Sequence, residues 1–136
     1  MPFIRERLSV VLPKDHRLAG RKSLWLKDLA GEKFLIHNKI GFWYEMSRRK
    51  IPNAVFLDQE NISSLMEIVN NTQLPSFTTN IAQQKLNQAV PKGKTAIPLL
   101  DKEADAQFYC VIKASDGKKM SSVLEAINNI YTGERF

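Results

Sequence analysis

The run Leu8-Ser9-Val10-Val11-Leu12-Pro13-Lys14-Asp15-His16-Arg17-Leu18-Ala19-Gly20, continued by Leu26-Lys27-Asp28-Leu29-Ala30-Gly31-Glu32-Lys33-Phe34-Leu35-Ile36, holds the reading that decides the fold. Ile4 to Leu12 alternates as a strand does, and Pro13 closes it because proline has no N–H to give to a ladder. Leu24 to Leu29 has the length of one helical turn, with Gly31 suited to its left-handed exit. Lys33 to His37 is a short, mostly apolar run of the kind that fills a sheet covered on both faces. Working outward, Gly41 to Lys50 reads as a helix stopped by Ile51-Pro52-Asn53, and Ala54 to Gln59 as a second central strand.

Beyond that, Ile62, Leu65, Met66 and Val69 recur at the spacing of an amphipathic helix opened by Asn61. Leu74 to Phe77 reads as a poorer strand, and Thr78 or Thr79 as the cap of a helix carrying Ile81, Ala82 and Leu86. Thr95 to Leu100 and Ala106 to Lys113 are the last strands. Val123, Leu124, Ile127, Ile130 and Tyr131 line one face of a closing helix that ends near Gly133. Strands alternating with helices predict an α/β fold with a mixed, mainly parallel sheet and helices on both faces.

These segments in this order resemble the effector-binding domain of LysR-type transcriptional regulators: the proline-ended strand, the His-x-Leu-Ala turn, Asp28-Leu29, the Phe34-Leu35-Ile36 strand, the helix ending Ile68-Val69, Ile97-Pro98-Leu99 and the strand Phe108 to Ile112. The resemblance implies a lobe of the type 2 periplasmic-binding-protein fold. Residues 14–105 would be the second regulatory subdomain, 4–13 and 106–113 the hinge strands, and 118–133 a C-terminal helix. In that family the pattern follows a helix-turn-helix, a linker helix and the first half of the effector domain, whereas here it begins at residue 8. The expectation is an effector domain truncated on its N-terminal side, with no DNA-binding domain present. Two departures stand out: Arg17 follows the motif histidine where the family has proline, and Asn71-Thr72-Gln73-Leu74 replaces a Gly-x-Gly segment.

Composition sets outer bounds. At 136 residues, 43% hydrophobic and 25% charged, the chain is one ordinary globular domain by length. The single cysteine excludes an internal disulfide, and no Cys/His cluster has metal-ligand spacing. No signal peptide and no apolar run of membrane-spanning length is legible, which leads to the expectation of a cytoplasmic protein without a membrane partner. The net charge of +6 comes from scattered groups such as Arg48-Arg49-Lys50 and Lys118-Lys119, with no recognition helix. DNA is therefore expected as a partner only through a helix-turn-helix absent from this chain.

In an open α/β sheet, ligands bind outside the carboxyl ends of the strands, where helix N-termini offer free N–H groups. His37-Asn38-Lys39-Ile40-Gly41-Phe42 joins a strand to a helix and combines donors with a glycine that permits close approach. The resemblance places effector contacts at His37, Asn38, Gly41 and Phe42, and across the cleft mouth at Thr72, Gln73, Leu74 and Ser76. Hydroxyl and amide groups there suit a small polar or anionic effector. Gln59-Glu60-Asn61 reads as a helix cap, His16 as a structural turn residue, and Phe42-Trp43-Tyr44 as packing aromatics. Cys110, between Tyr109 and Val111, reads as a buried, inert thiol. No catalytic constellation and no cofactor or metal site can be assembled. The resemblance implies effector sensing by a LysR-type regulator, in a homo-oligomer that pairs head to tail. The alternatives are a stand-alone solute-binding module of the same fold, and a small enzyme using His37, which activity screening of His37→Ala would separate from a binding module.

Overall fold

The computed structural model describes residues 2–86 and 88–131. The chain divides into two compact units, Arg7–Ala104 and a smaller one drawn from the two chain ends, residues 2–6 and 105–131 among those described.

In the larger unit, β1 (Pro2–Pro13) runs between β4 (Ser76–Thr79) and β5 (Lys94–Pro98) and is antiparallel to both. Val10 lies opposite Phe77 on one side and Ile97 on the other. Because strands flank this half of β1, Leu8 and Val10 to Pro13 are buried without the in-out alternation of a half-exposed strand. Pro13 ends it, as expected. β2 (Lys33–His37) and β3 (Val55–Gln59) pair in parallel, from Lys33 opposite Val55 to His37 opposite Gln59.

The backbone of Leu35 donates to the Pro75 carbonyl at 2.9 Å, which brings β2 alongside the segment entering β4. Side chains reveal the direction of that neighbour. Leu74 packs with Leu35, Leu65 and Val69, while the Phe77 ring stacks on Phe34 with centroids 5.1 Å apart. Successive strand residues point to opposite faces, so this combination requires β4 to run parallel to β2.

Both faces of β2 are covered, and Phe34, Leu35 and Ile36 are all buried. On the Leu35 face lies α2 (Ile62–Asn71), whose Leu65 and Val69 meet Leu35. Each such buried side chain stabilises the fold by about 1.5–3 kcal/mol. On the Phe34 face, Phe34 stacks on Phe56, and the Arg48 guanidinium of α1 (Phe42–Lys50) lies over the Phe56 ring. Tyr44 of α1 donates to the Asp58 carboxylate, and that bond raises the tyrosine pKa above its ordinary value.

The structure thus has the expected mixed α/β organisation with helices on both faces. Two refinements concern the sheet. Of the registered pairings β2·β3 is parallel, but both pairings of β1 are antiparallel, so the parallel share is smaller than strand-helix alternation suggested. β3 is an edge strand among the described residues rather than a central one, and Val55 and Leu57 are 47% and 40% exposed.

The turn after β1 shows what the motif histidine does. His16 Nδ1 accepts the Leu18 N–H at 3.1 Å, and its Nε2 donates to Glu32 at 2.7 Å, joining the turn to the entrance of β2. Arg17, the residue after the motif histidine, is exposed and faces the same carboxylate at 3.4 Å. A 3-10 turn spans Leu26–Leu29, and Gly31 has the left-handed φ of 78° expected of its exit. Asn61 caps α2 and Thr79 caps α3 (Asn80–Lys85), each through a side-chain oxygen that accepts a backbone N–H of the first turn. β4 begins two residues later than the apolar run Leu74 to Phe77 predicted, just past Pro75, which has no N–H to give to a ladder.

In the smaller unit, β6 (Asp105–Tyr109) pairs with β1, and Arg5 grips Asp105 through two bonds of 2.8 and 2.5 Å. β6 stops four residues before the predicted Lys113. Cys110 therefore lies past the strand and is half-buried, not sealed in an apolar ladder. α4 (Gly117–Tyr131) forms, but Leu124 and Ile127 are only half-buried and Val123 and Ile130 are exposed. Gly133, expected at its exit, lies outside the described residues. Among the described residues no helix is long and apolar enough to cross a membrane.

Candidate functional site

Parallel pairing of β2 and β3 sets their carboxyl ends, His37 and Gln59, side by side. The two exit loops are then tied together. The Asn38 N–H donates to the Gln59 carbonyl at 3.1 Å, and His37 Nε2 donates to the Glu60 carbonyl at 2.7 Å. Those bonds leave His37 Nδ1 as the ring's remaining polar atom and fix where the Asn38 side chain starts from.

Asn38 Oδ1 is buried and meets no hydrogen-bond donor among the described residues. A buried acceptor left unpaired costs about 1–3 kcal/mol, so it calls for an explanation. Gly41, with φ 69° and ψ −141°, forms the entry to α1 and supplies no side-chain cap. Apart from its own chain neighbours, no atom lies within 4 Å of where a Cβ on Gly41 would stand. Phe42 is 52% exposed beside this space, whereas Trp43 is buried with Nε1 donating to the Glu103 carbonyl at 2.8 Å. The aromatic cluster therefore splits: Trp43 and Tyr44 are engaged in packing and hydrogen bonds, and Phe42 leans on the Trp43 ring with centroids 5.3 Å apart while staying exposed. Lys39 is exposed.

The neighbouring loop is occupied by its own structure. Asn61 Oδ1 accepts the Ser64 N–H at 3.1 Å, so Gln59-Glu60-Asn61 is the helix cap the sequence suggested, with the added job of anchoring His37 and Asn38.

The second candidate loop lies elsewhere. β4 runs parallel to β2, so Thr72, Gln73 and Leu74 precede β4 at the amino end of the sheet, opposite the end that carries His37 to Phe42. Leu74 packs into the helix-facing core, Ser76 is buried within β4 opposite Val11, and Gln73 is exposed. Thr72 Oγ1 is buried without a partner among the described residues. Nearby, Lys94 at the start of β5 is buried and donates to the Val69 carbonyl at 2.5 Å, capping the C-terminal end of α2. Burial pushes the Lys94 pKa down.

The structure thus brings His37, Asn38, Gly41 and Phe42 together and leaves Thr72, Gln73, Leu74 and Ser76 apart from them. The premise that both loops follow strand carboxyl ends holds for the first alone. At the carboxyl end of β4 stand Thr79 and Asn80 instead, where Asn80 Oδ1 accepts the Arg7 N–H at 2.7 Å. Thr-Thr-Asn after an apolar segment was the available signal for them. Among the described residues no group of three His, Cys, Asp or Glu side chains is placed to hold a metal ion.

No family model matches the chain, and no curated protein does. Solved structures do match its fold. The reduced regulatory domain of OxyR from Pseudomonas aeruginosa superposes with a TM-score of 0.65 at 12% identity over 95% of this chain. The regulatory domain of MetR, a LysR family regulator from N. meningitidis, gives 0.66 at 12% identity over 95% of this chain. The BenM effector-binding domain with its effector benzoate gives 0.63 at 18% over 93%. The chain spans 64%, 62% and 61% of those three chains, less than two thirds of each. It has the fold of LysR-family regulatory and effector-binding domains, as the motif order implied.

Proposed function

We propose that this chain is the sensor portion of a LysR-type transcriptional regulator and that a small effector binds where β2 and β3 end, against His37, Asn38, Gly41 and Phe42. The observation that carries the reading is the parallel pairing that sets the exits of β2 and β3 side by side, with the uncapped start of α1 and the exposed Phe42 beside His37 and Asn38, at the end of an α/β sheet where ligands bind. The fold likeness supports the same reading, since BenM is seen with benzoate. Thr72, Gln73, Leu74 and Ser76 are not part of this proposed site.

The mechanism is a shift of population. An effector that prefers one arrangement of the protein stabilises it by its differential affinity and thereby alters transcription through DNA-binding parts of the intact regulator. The alternative reading is a solute-binding module of the same fold, with no DNA in its mechanism.

Self-association belongs to the same proposal. The outer edge of β3 exposes Val55 and Leu57, and exposed edges with apolar side chains favour pairing with another chain. Sedimentation at rising concentration should show a dimer that Leu57→Lys weakens. A monomer at every concentration contradicts this part of the proposal.

A thermal-shift screen of small organic acids, amino acids and hydroxylated compounds tests the sensor role. A ligand at a hundredfold its Kd stabilises the folded state by about 2.7 kcal/mol, well within reach of the measurement. The reading predicts a hit whose stabilisation is lost in Phe42→Ala, a change at an exposed ring that leaves the fold intact.

A further inference from the structure

We infer that His37 selects the ligand of this site by its protonation state: neutral, its Nδ1 accepts a hydrogen bond from a donor-bearing ligand, and protonated, the ring binds an anion. The inference rests on the effector-site reading and names how that site is regulated.

One bond fixes the tautomer. A backbone carbonyl only accepts, so the 2.7 Å contact between His37 Nε2 and the Glu60 carbonyl puts the ring's proton on Nε2. Nδ1 of the neutral ring is then an acceptor. It meets no partner among the described residues, where the buried side-chain atoms left unpaired are Asn38 Oδ1 and Thr72 Oγ1, so Nδ1 is open to solvent.

Protonation therefore breaks no bond. The added proton turns Nδ1 from acceptor to donor and gives the ring a positive charge, while Nε2 goes on donating to Glu60 and the loop stays tied. His16, the chain's other histidine, is built differently. Its Nδ1 accepts the Leu18 N–H, so a proton added there would cost that bond.

The surroundings leave the change to the ring itself. Alternation along β2 sets His37 on the Leu35 face, which α2 covers; the charged side chains carried there are Glu67 of α2 and Glu60 of the loop, and β3 places the neutral Gln59 opposite. Among the described residues neither carboxylate pairs with the ring. On the segment that follows, Lys39 is exposed and Glu45 stands in the first turn of α1, while Asp58 of β3 is held by Tyr44. The uncapped start of α1 favours an anion in either state of the ring, and the exposed Phe42 offers an aromatic face.

The test uses two probes on one frame, benzoate, an anion without a donor, and benzylammonium, a cation without an acceptor. Calorimetric titration of the chain at about pH 5.5 and about pH 8 spans the range in which histidine is the side chain that changes charge. Benzoate should bind about tenfold tighter at the lower pH and benzylammonium about tenfold weaker, the worth of one charge-assisted bond gained or lost. His37→Gln, whose amide still donates to the Glu60 carbonyl but does not titrate, should hold both changes to within about twofold. His16→Gln should leave them in place. Nitrogen-15 spectra of the rings at about pH 8 should show His37 protonated on Nε2, and a proton on Nδ1 there overturns the inference. Affinities that do not move with pH, or that move equally in His37→Gln, overturn it as well. Either result leaves the site reading standing if Phe42→Ala still weakens a probe. If neither probe binds saturably at either pH, the effector-site reading fails and the inference with it.

Discussion

At the scale of single residues, two side chains do work that composition alone could not assign. His16 holds its turn by accepting the Leu18 N–H and donating to Glu32. His16→Ala removes both bonds and leaves a part-buried N–H unpaired, so urea unfolding should show a loss of about 1–3 kcal/mol. A loss below a few tenths would mean the turn is held by Pro13 and packing alone. Lys94 is the opposite case, a buried ammonium whose pKa burial lowers from its ordinary 10.5. Between the lowered folded value and 10.5 the unfolded chain binds the extra proton, so this residue makes stability rise with pH across that window. Lys94→Met should flatten the rise when unfolding is followed from neutral pH toward 10.5, and an unchanged slope would show that Lys94 does not cause it.

At the scale of elements, caps and periodicity were the legible part. Asn61→Ala should cost about 0.5–2 kcal/mol through the lost bond to the Ser64 N–H, read as a lower urea midpoint at unchanged m-value. Leu35→Ala should cost more, about 2–5 kcal/mol, because Leu65, Val69 and Leu74 close on it and cannot fully collapse into the gap. The β2 limits, the α2 cap and the exit at Gly31 all follow from local rules: apolar run length, an Asn before an amphipathic segment, a glycine at positive φ. What the sequence could not reveal was which end of a strand a loop occupies. Thr72-Gln73-Leu74 has the polar character of a ligand loop, but Leu74 is core and the loop enters β4, a fact set by the long-range pairing of β2 with that segment. The edge position of β3 was hidden for the same reason, since a short apolar run such as Ala54 to Leu57 reads alike at an edge or at the centre. So was the exposure of α4, whose apolar spacing promised a packed face.

At the scale of the whole molecule, the order of elements was the most informative signal in the sequence. A proline-ended strand, a histidine turn and two strand-helix units were enough to anticipate a fold that solved regulatory domains share at only 12–18% identity. In the proposed site a small ligand enters at the carboxyl ends of β2 and β3. Amide chemical-shift mapping during titration with the compound that gives the largest thermal stabilisation tests it most directly. The largest shifts should fall at Asn38, Gly41 and Phe42, with smaller ones at Gln59 to Asn61 and little change at Thr72 and Gln73. Shifts centred on Thr72 to Ser76, with His37 to Phe42 unmoved, would contradict it.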